Sequence, residues 1–246
     1  MKVVQRIEEA VNSLNIPDGS VIYTAGNAAT PQVILRQLAI DSEIKNVSLL
    51  SVLLLGNLGE LFSKETCKRI THRVIFNGPH SREAMNTGGA SYQLIHLSDI
   101  PRQLKSYLKP TVVFLSVAGP DNGGNFSFGT TVEGCKAAVE VAKSQGGIVI
   151  AERNAKMPFV LGTTLHKSEI DFLIDMDYHL PQALSTNPTI LPDVLPTSSP
   201  NFILPMAVHS NMASAKFPRP SPKPSSIRVL RISAYKPSFL PMPCAN

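Results

Sequence analysis

Two apolar runs, residues 47–55 (VSLLSVLLL) and 111–117 (TVVFLSV), set the strongest limit on how this chain folds. Each is nearly continuous yet only strand length, the pattern of a strand covered on both faces of a parallel sheet and too short for a membrane span. Shorter runs repeat the signal at residues 20–25, 73–76, 148–151 and 172–174. Helix signals lie between them. Thr30 and Pro31 offer an N-cap and a first-turn proline for a helix through about residue 39. Ser81 follows Asn77-Gly78-Pro79 as the cap of a short helix. Thr130 and Glu133 stand three apart as a capping box, and the helix they open places Val132, Cys135, Ala138, Val139 and Ala142 on one stripe before Gly146-Gly147 ends it. This alternation predicts an α/β fold: an open, mainly parallel, twisted sheet flanked by helices. Its strand C-termini open on one edge, where such sheets bind ligands.

The alternation then stops. All 15 glycines lie at or before Gly162, whereas 12 of the 20 prolines follow Ser185. In residues 216–224 (KFPRPSPKP) proline removes backbone donors and forbids helix. Two regions are therefore expected: an α/β domain over 1–184 and a Pro/Ser-rich, disordered tail over 185–246. The charge divides at the same place. The first region holds 17 basic and 17 acidic residues, so the formal +5 comes from Lys216, Arg219, Lys223, Arg228, Arg231 and Lys236 set against Asp193. A neutral body gives no footing for nucleic acid, which is not expected as a partner. Nor is a membrane, since Arg6, Glu8 and Glu9 also interrupt any signal-like apolar start.

Site chemistry narrows by elimination. Cys67, Cys135 and Cys244 form no CxxC pair and the six histidines never reach metal-ligand spacing, so no metal site is expected and a reducing compartment fits. The P-loop, GxGxxG and GxSxG patterns are all missing. Cys135 falls on an apolar helix stripe and reads as a buried thiol, while His80 and His96 read as satisfied or exposed imidazoles. Residues 119–129 admit two readings. They make a surface turn into a capped helix, or a glycine-bearing loop at the ligand edge feeding a helix N-terminus suited to an anion.

Several blocks carry a resemblance. Val117-Ala118-Gly119-Pro120-Asp121-Asn122-Gly123-Gly124-Asn125-Phe126-Ser127-Phe128-Gly129-Thr130 is similar to the SPPDxHGxxSLGxS segment of the acetyl-CoA hydrolase/transferase family. Gly26-Asn27-Ala28-Ala29-Thr30-Pro31 resembles that family's GxAAxP, and residues 77–84 resemble its FxGxNxRxA stretch. Leu97-Ser98-Asp99-Ile100-Pro101 is similar to LSEIP, and Asn154-Ala155-Lys156-Met157-Pro158, with Gly162 and residues 168–171, to NxxMP…G…SxID. The blocks run in register over residues 16–180. The departures are Gly119 for the first proline of the SPPD block and Asn122-Gly123 where the family places an acidic residue and histidine.

The resemblance implies a NagB/RpiA/CoA-transferase-like fold and a CoA exchange between a short acyl-CoA and an acetate-like carboxylate. CoA is then a substrate, and no covalently held cofactor is implied. Family members have two α/β halves facing each other across the active site, and these blocks belong to the N-terminal half. The catalytic glutamate and the CoA-binding loop belong to the other half, so no catalytic residue is expected in 1–184 and the chain alone is expected to be inactive. Glu152 stands nearest to the edge, and a salt-bridged or solvated side chain is its expected state; Glu133 is a cap and Glu140 a helix residue. The body would form one wall of the cleft through Gly26, Asn27, Pro120, Asp121, Gly124, Asn154, Met157 and Pro158, residues that also suit plain turn-making. Acyl-CoA and a small carboxylate are the implied partners when a C-terminal half is present. Self-association, or a separate C-terminal domain, is the expected protein contact. The alternative is a non-catalytic remnant or partner-binding α/β module. The implied location is the cytoplasm, with the mitochondrion as the alternative.

Overall fold

The computed structural model describes residues 1–182; the boundary expected after 184 and the tail reading both lie outside them. The strands are β1 (Lys2–Val4), β2 (Val21–Thr24), β3 (Val47–Ser51), β4 (Ile70–Val74), β5 (Ala90–Tyr92), β6 (Val112–Val117), β7 (Asn125–Ser127), β8 (Ile148–Asn154), β9 (Thr164–His166) and β10 (Phe172–Met176). Eight of them form one sheet in the order β1-β10-β8-β6-β2-β3-β4-β5, and every neighbouring pair is parallel. β7 and β9 pair antiparallel in a separate ribbon. The helices are α1 (Gln32–Ile40), α2 (Lys64–Cys67), α3 (Pro79–Asn86), α4 (Ile100–Gln103), which runs into a π turn at Leu104–Leu108, and α5 (Cys135–Ser144). Among the described residues no helix is long and apolar enough to cross a membrane.

Strand periodicity explains why the central runs are continuously apolar. In β6 all six residues are buried. Val112 and Phe114 face one core, with Ile22, Leu49, Ile150 and the α1 residues Ile34, Leu35 and Leu38. Val113, Leu115 and Val117 face the other, with Tyr23, Val149, Ala151 and the α5 residues Cys135, Ala138, Val139 and Ala142. A strand with helices over both faces has no polar side to show.

The structure corrects several local expectations. α1 begins at Gln32, but Thr30 does not cap it: its hydroxyl donates to the Asn27 carbonyl at 2.7 Å and accepts from the Leu55 N–H at 3.2 Å. Ser81 lies inside α3, whose first residue is Pro79; its hydroxyl donates back to Asn77 Oδ1 at 2.9 Å. The Thr130/Glu133 capping box does not form. α5 starts at Cys135, Val132 is exposed rather than on the stripe, and Glu133 has a left-handed backbone with φ 44°. β3 ends at Ser51, where the chain begins to bend around the β2 exit, and β4 begins at Ile70, three residues earlier than its apolar run. Its unexpected member is His72, buried in the strand against Phe62. β8 is longer than its apolar part, because Glu152 and Asn154 are buried strand residues. β1, β5 and the β7–β9 ribbon carry too few apolar residues to announce themselves.

Candidate functional site

The strand order reverses between β2 and β6. From β2 the chain steps outward through β3, β4 and β5; from β6 it steps the other way through β8 and β10. Their connecting loops therefore part above the carboxyl ends of β2 and β6 and leave a crevice, the position at which open parallel sheets bind ligands. Gly26 and Asn27 follow β2 there, while Gly119 and Pro120 follow β6.

Gly26 is required by space. A Cβ on it would stand 2.5 Å from the Leu53 carbonyl and within 3.3 Å of both Glu133 carboxylate oxygens. Asn27 is left-handed, with φ 50°; its N–H donates to the Leu53 carbonyl at 2.6 Å and its Nδ2 to Glu133 Oε1 at 2.5 Å. Glu133 is thus a crevice residue and not the expected cap. Burial pushes its carboxyl up to about 7, opposed by the Asn27 hydrogen bond.

Pro120, Asp121 and Gly124 lie together in the loop from β6 to β7, which begins with a cis Gly119–Pro120 peptide. Asp121 Oδ1 accepts from the Gly123 and Asn125 N–H groups, both at 2.8 Å, and its carboxylate also takes Asn125 Nδ2. The Asn125 donors hold this exposed carboxyl below the usual carboxylate range. The Gly124 carbonyl accepts from the Lys167 N–H at 2.9 Å, tying the loop to the turn after β9. These side chains shape a turn.

Across the crevice, β8 delivers the third group. Asn154 is buried, with Oδ1 accepting from the Lys156 N–H at 2.9 Å and Nδ2 donating to the Tyr178 carbonyl at 3.0 Å. Met157 is buried with its thioether against Gly129, where no Cβ would fit, while Pro158 is exposed beside it. A depression of about 590 Å³ is lined here by Gly119, Asn154, Met157, Met176, Arg153 and Asp175, the last two in a forked ion pair at 2.5–2.6 Å. The fold thus brings Asn154 and Met157 to one hollow beside Gly119, sets Gly26 and Asn27 on the other side of the reversal point, and gives Pro120, Asp121 and Gly124 to the loop between.

Glu152 overturns its expected solvated or salt-bridged state. It is fully buried on β8; Oε1 accepts from the Ile34 N–H at 2.5 Å and Oε2 from the Tyr178 hydroxyl at 2.5 Å. Tyr178 in turn accepts from the Gln32 N–H at 3.3 Å. The first turn of α1 has amides with no partner inside the helix, and this pair caps them from another part of the chain. Burial still dominates and raises the Glu152 carboxyl to about 7. Neither this role nor that of Glu133 follows from local spacing, because each depends on a partner more than 100 positions away. Cys135 is buried as expected, His80 Nε2 lies 3.1 Å from the Gly56 carbonyl, and His96 is exposed. Among the described residues no three His, Cys, Asp or Glu side chains are grouped to hold a metal ion.

Residues 1–183 match the acetyl-CoA hydrolase/transferase N-terminal domain. The chain belongs to that family. Among curated proteins, this acetyl-CoA hydrolase/transferase-family chain is 35% identical over 136 residues to the 4-hydroxybutyrate coenzyme A transferase of Clostridium kluyveri, covering 54% of the chain and 30% of the relative. It is 25% identical over 157 residues to the succinyl-CoA:acetate/propanoyl-CoA:succinate CoA transferase of Fasciola hepatica, covering 63% and 32%. The chain thus spans about a third of the length of these relatives. In fold it is similar to RipA from Yersinia pestis, with a TM-score of 0.66 at 24% identity over 76% of this chain and 45% of that one. The 4-hydroxybutyrate CoA-transferase of Porphyromonas gingivalis gives a TM-score of 0.59 at 20% identity, covering 74% and 41%. The parallel sheet expected from the sequence is therefore the family's fold.

Proposed function

We propose that this chain supplies one lobe of a CoA-transferase that exchanges CoA between a short acyl-CoA and an acetate-like carboxylate. The observation that carries this reading is the family match over residues 1–183, on a parallel sheet whose strand order reverses between β2 and β6. The lobe's part is to position groups and exclude water. Asn27 offers a side-chain amide at the β2 exit, while Asn154 and Met157 line the hollow beside Gly119. Covalent carboxylate catalysis needs an exposed, oriented nucleophile and a preorganised oxyanion site. Glu152 is sealed beneath α1 and Glu133 is turned onto Asn27, so neither is offered as nucleophile; the family resemblance is what assigns the attacking group to a facing half. The substrates place the protein where acyl-CoA is supplied, in the cytoplasm or, as the alternative, the mitochondrion.

Two measurements on the purified chain test the reading. With acetyl-CoA and succinate it gives no turnover above the uncatalysed rate and no CoA adduct by mass spectrometry; a trapped adduct would refute the division of labour. Millimolar acetyl-CoA shifts the amide resonances of Gly26, Asn27, Asn154 and Met157. A spectrum indifferent to acetyl-CoA at those four positions would remove the cleft wall.

A further inference from the structure

Asn27 and Glu133 are the two non-glycine residues at the β2 end of the crevice with left-handed backbones, φ 50° and 44°. L side chains rarely occupy that region, so each conformation is imposed by its surroundings. They meet through one hydrogen bond, Asn27 Nδ2 to Glu133 Oε1 at 2.5 Å. An ionised carboxylate only accepts, so it can face the NH2 end of the amide and not the carbonyl end. One of the two amide orientations is thereby selected, and Asn27 Oδ1 becomes the free end. It makes no hydrogen bond among the described residues, and it is not one of the sealed, unpartnered atoms, which are His72 Nε2, Ser116 Oγ and Glu133 Oε2.

The rest of the turn is already fixed. The Asn27 N–H is held by Leu53, its carbonyl takes Thr30, and the Thr30 hydroxyl reaches the Leu55 N–H. Among the described residues the Gly26 and Ala28 N–H groups of this turn also have no partner, and Oδ1 is its one unpaired side-chain acceptor. The titratable groups packed against Glu133 are Tyr23 from β2 and Cys135 from α5; burial pushes both up, and neither is a cation.

We propose that Glu133 is a positioning residue: its carboxylate fixes the Asn27 side-chain amide with the NH2 inward, leaving the carbonyl oxygen as an acceptor for an N–H or O–H group of the ligand. The ligand's identity rests on the acyl-CoA reading, and the donor is then a hydroxyl on the acyl chain or an amide N–H of the pantetheine arm. The amide orientation itself does not depend on that reading. Once Glu133 is protonated, its O–H can donate and the amide is free to turn over.

Nuclear magnetic resonance of the full chain, labelled with 15N and 13C, tests both levels. The Asn27 NH2 pair is expected to exchange slowly with water at pH 8 and to shift with pH on the same midpoint as Glu133 13Cδ, near 7. Glu133→Gln removes the pH response and leaves the fold's other resonances in place. An Asn27 NH2 pair that exchanges freely and ignores the Glu133 titration in the wild-type chain overturns the positioning role without any variant. For the ligand, 4-hydroxybutyryl-CoA is compared with butyryl-CoA, which lacks one hydroxyl. If the hydroxyl is the donor, Asn27→Leu weakens the first by about fivefold and leaves the second unchanged. If the pantetheine amide is the donor, both weaken alike. Unchanged affinity for both overturns the acceptor role. Absence of binding by either thioester instead sinks the acyl-CoA reading, with the wild-type titration still deciding the role of Glu133.

Discussion

Gly26 and Gly59 show how a single hydrogen-to-methyl change reads at two places in one fold. Gly26 faces the Leu53 carbonyl so closely that Gly26→Ala must move backbone, whereas a Cβ on Gly59 meets nothing within 4 Å. Gly26→Ala is expected to cost about 1–3 kcal/mol in urea denaturation and Gly59→Ala less than about 0.5 kcal/mol. Three buried titratable residues make stability depend on pH in opposing ways. Glu152 is raised from 4.5 to about 7, so its contribution is fully present below about pH 4.5 and lost as pH rises through 7. Glu133 acts in the same sense. His72, lowered from 6.5 to about 4 by burial, contributes above about pH 6.5 and loses that contribution as pH falls through 4. Glu152→Gln should therefore remove up to about 3 kcal/mol of the decline between pH 4.5 and 7, read as a flatter curve of urea midpoint against pH. A midpoint curve of unchanged slope would show that the buried carboxyl does not titrate in this range. These residues were illegible in the sequence for a common reason. Thr130 and Glu133 have the spacing of a cap, and Glu152 follows an apolar strand where a carboxylate is expected at the surface. Burial decided each against its local pattern.

At the level of elements, legibility followed how completely a segment is covered. β6 and the strand part of residues 47–55 were plain because both faces are buried, so nearly every residue had to be apolar. The short edge strands β1 and β5 and the β7–β9 ribbon gave no comparable run; Phe126 and Leu165 are the buried apolar anchors of the ribbon. Helix existence was also readable, while helix starts were not. The starts of α1 and α5 are governed by distant partners, Glu152 at one and the Tyr23 hydroxyl, accepting from the Gly134 N–H at 3.1 Å, at the other. Thr130→Ala is accordingly expected to change stability by less than about 0.5 kcal/mol, where a true cap would lose about 1 kcal/mol. Leu115→Ala, in the middle of β6, should cost about 2–5 kcal/mol by the same assay.

For the whole molecule, the sequence disclosed the sheet class and the blocks that carry the family resemblance, but not the strand order that places them. Gly26-Asn27 and Gly119-Pro120 are more than 90 positions apart, and they become neighbours of one crevice because β2 and β6 pair in parallel. The same order sets where the molecule opens. Amides of β6 and β2, in the middle of the eight strands, should exchange most slowly with solvent, and those of β5 at one edge and β1 at the other soonest. Uniform protection across the sheet would contradict that gradient. The placement of β1 also has a consequence for synthesis. Lys2–Val4 find their sheet neighbour in Phe172–Ile174, on the far side of α5 in the chain. During synthesis β1 is therefore made well before its mate, and that border of the sheet stays open until β10 has emerged behind α5.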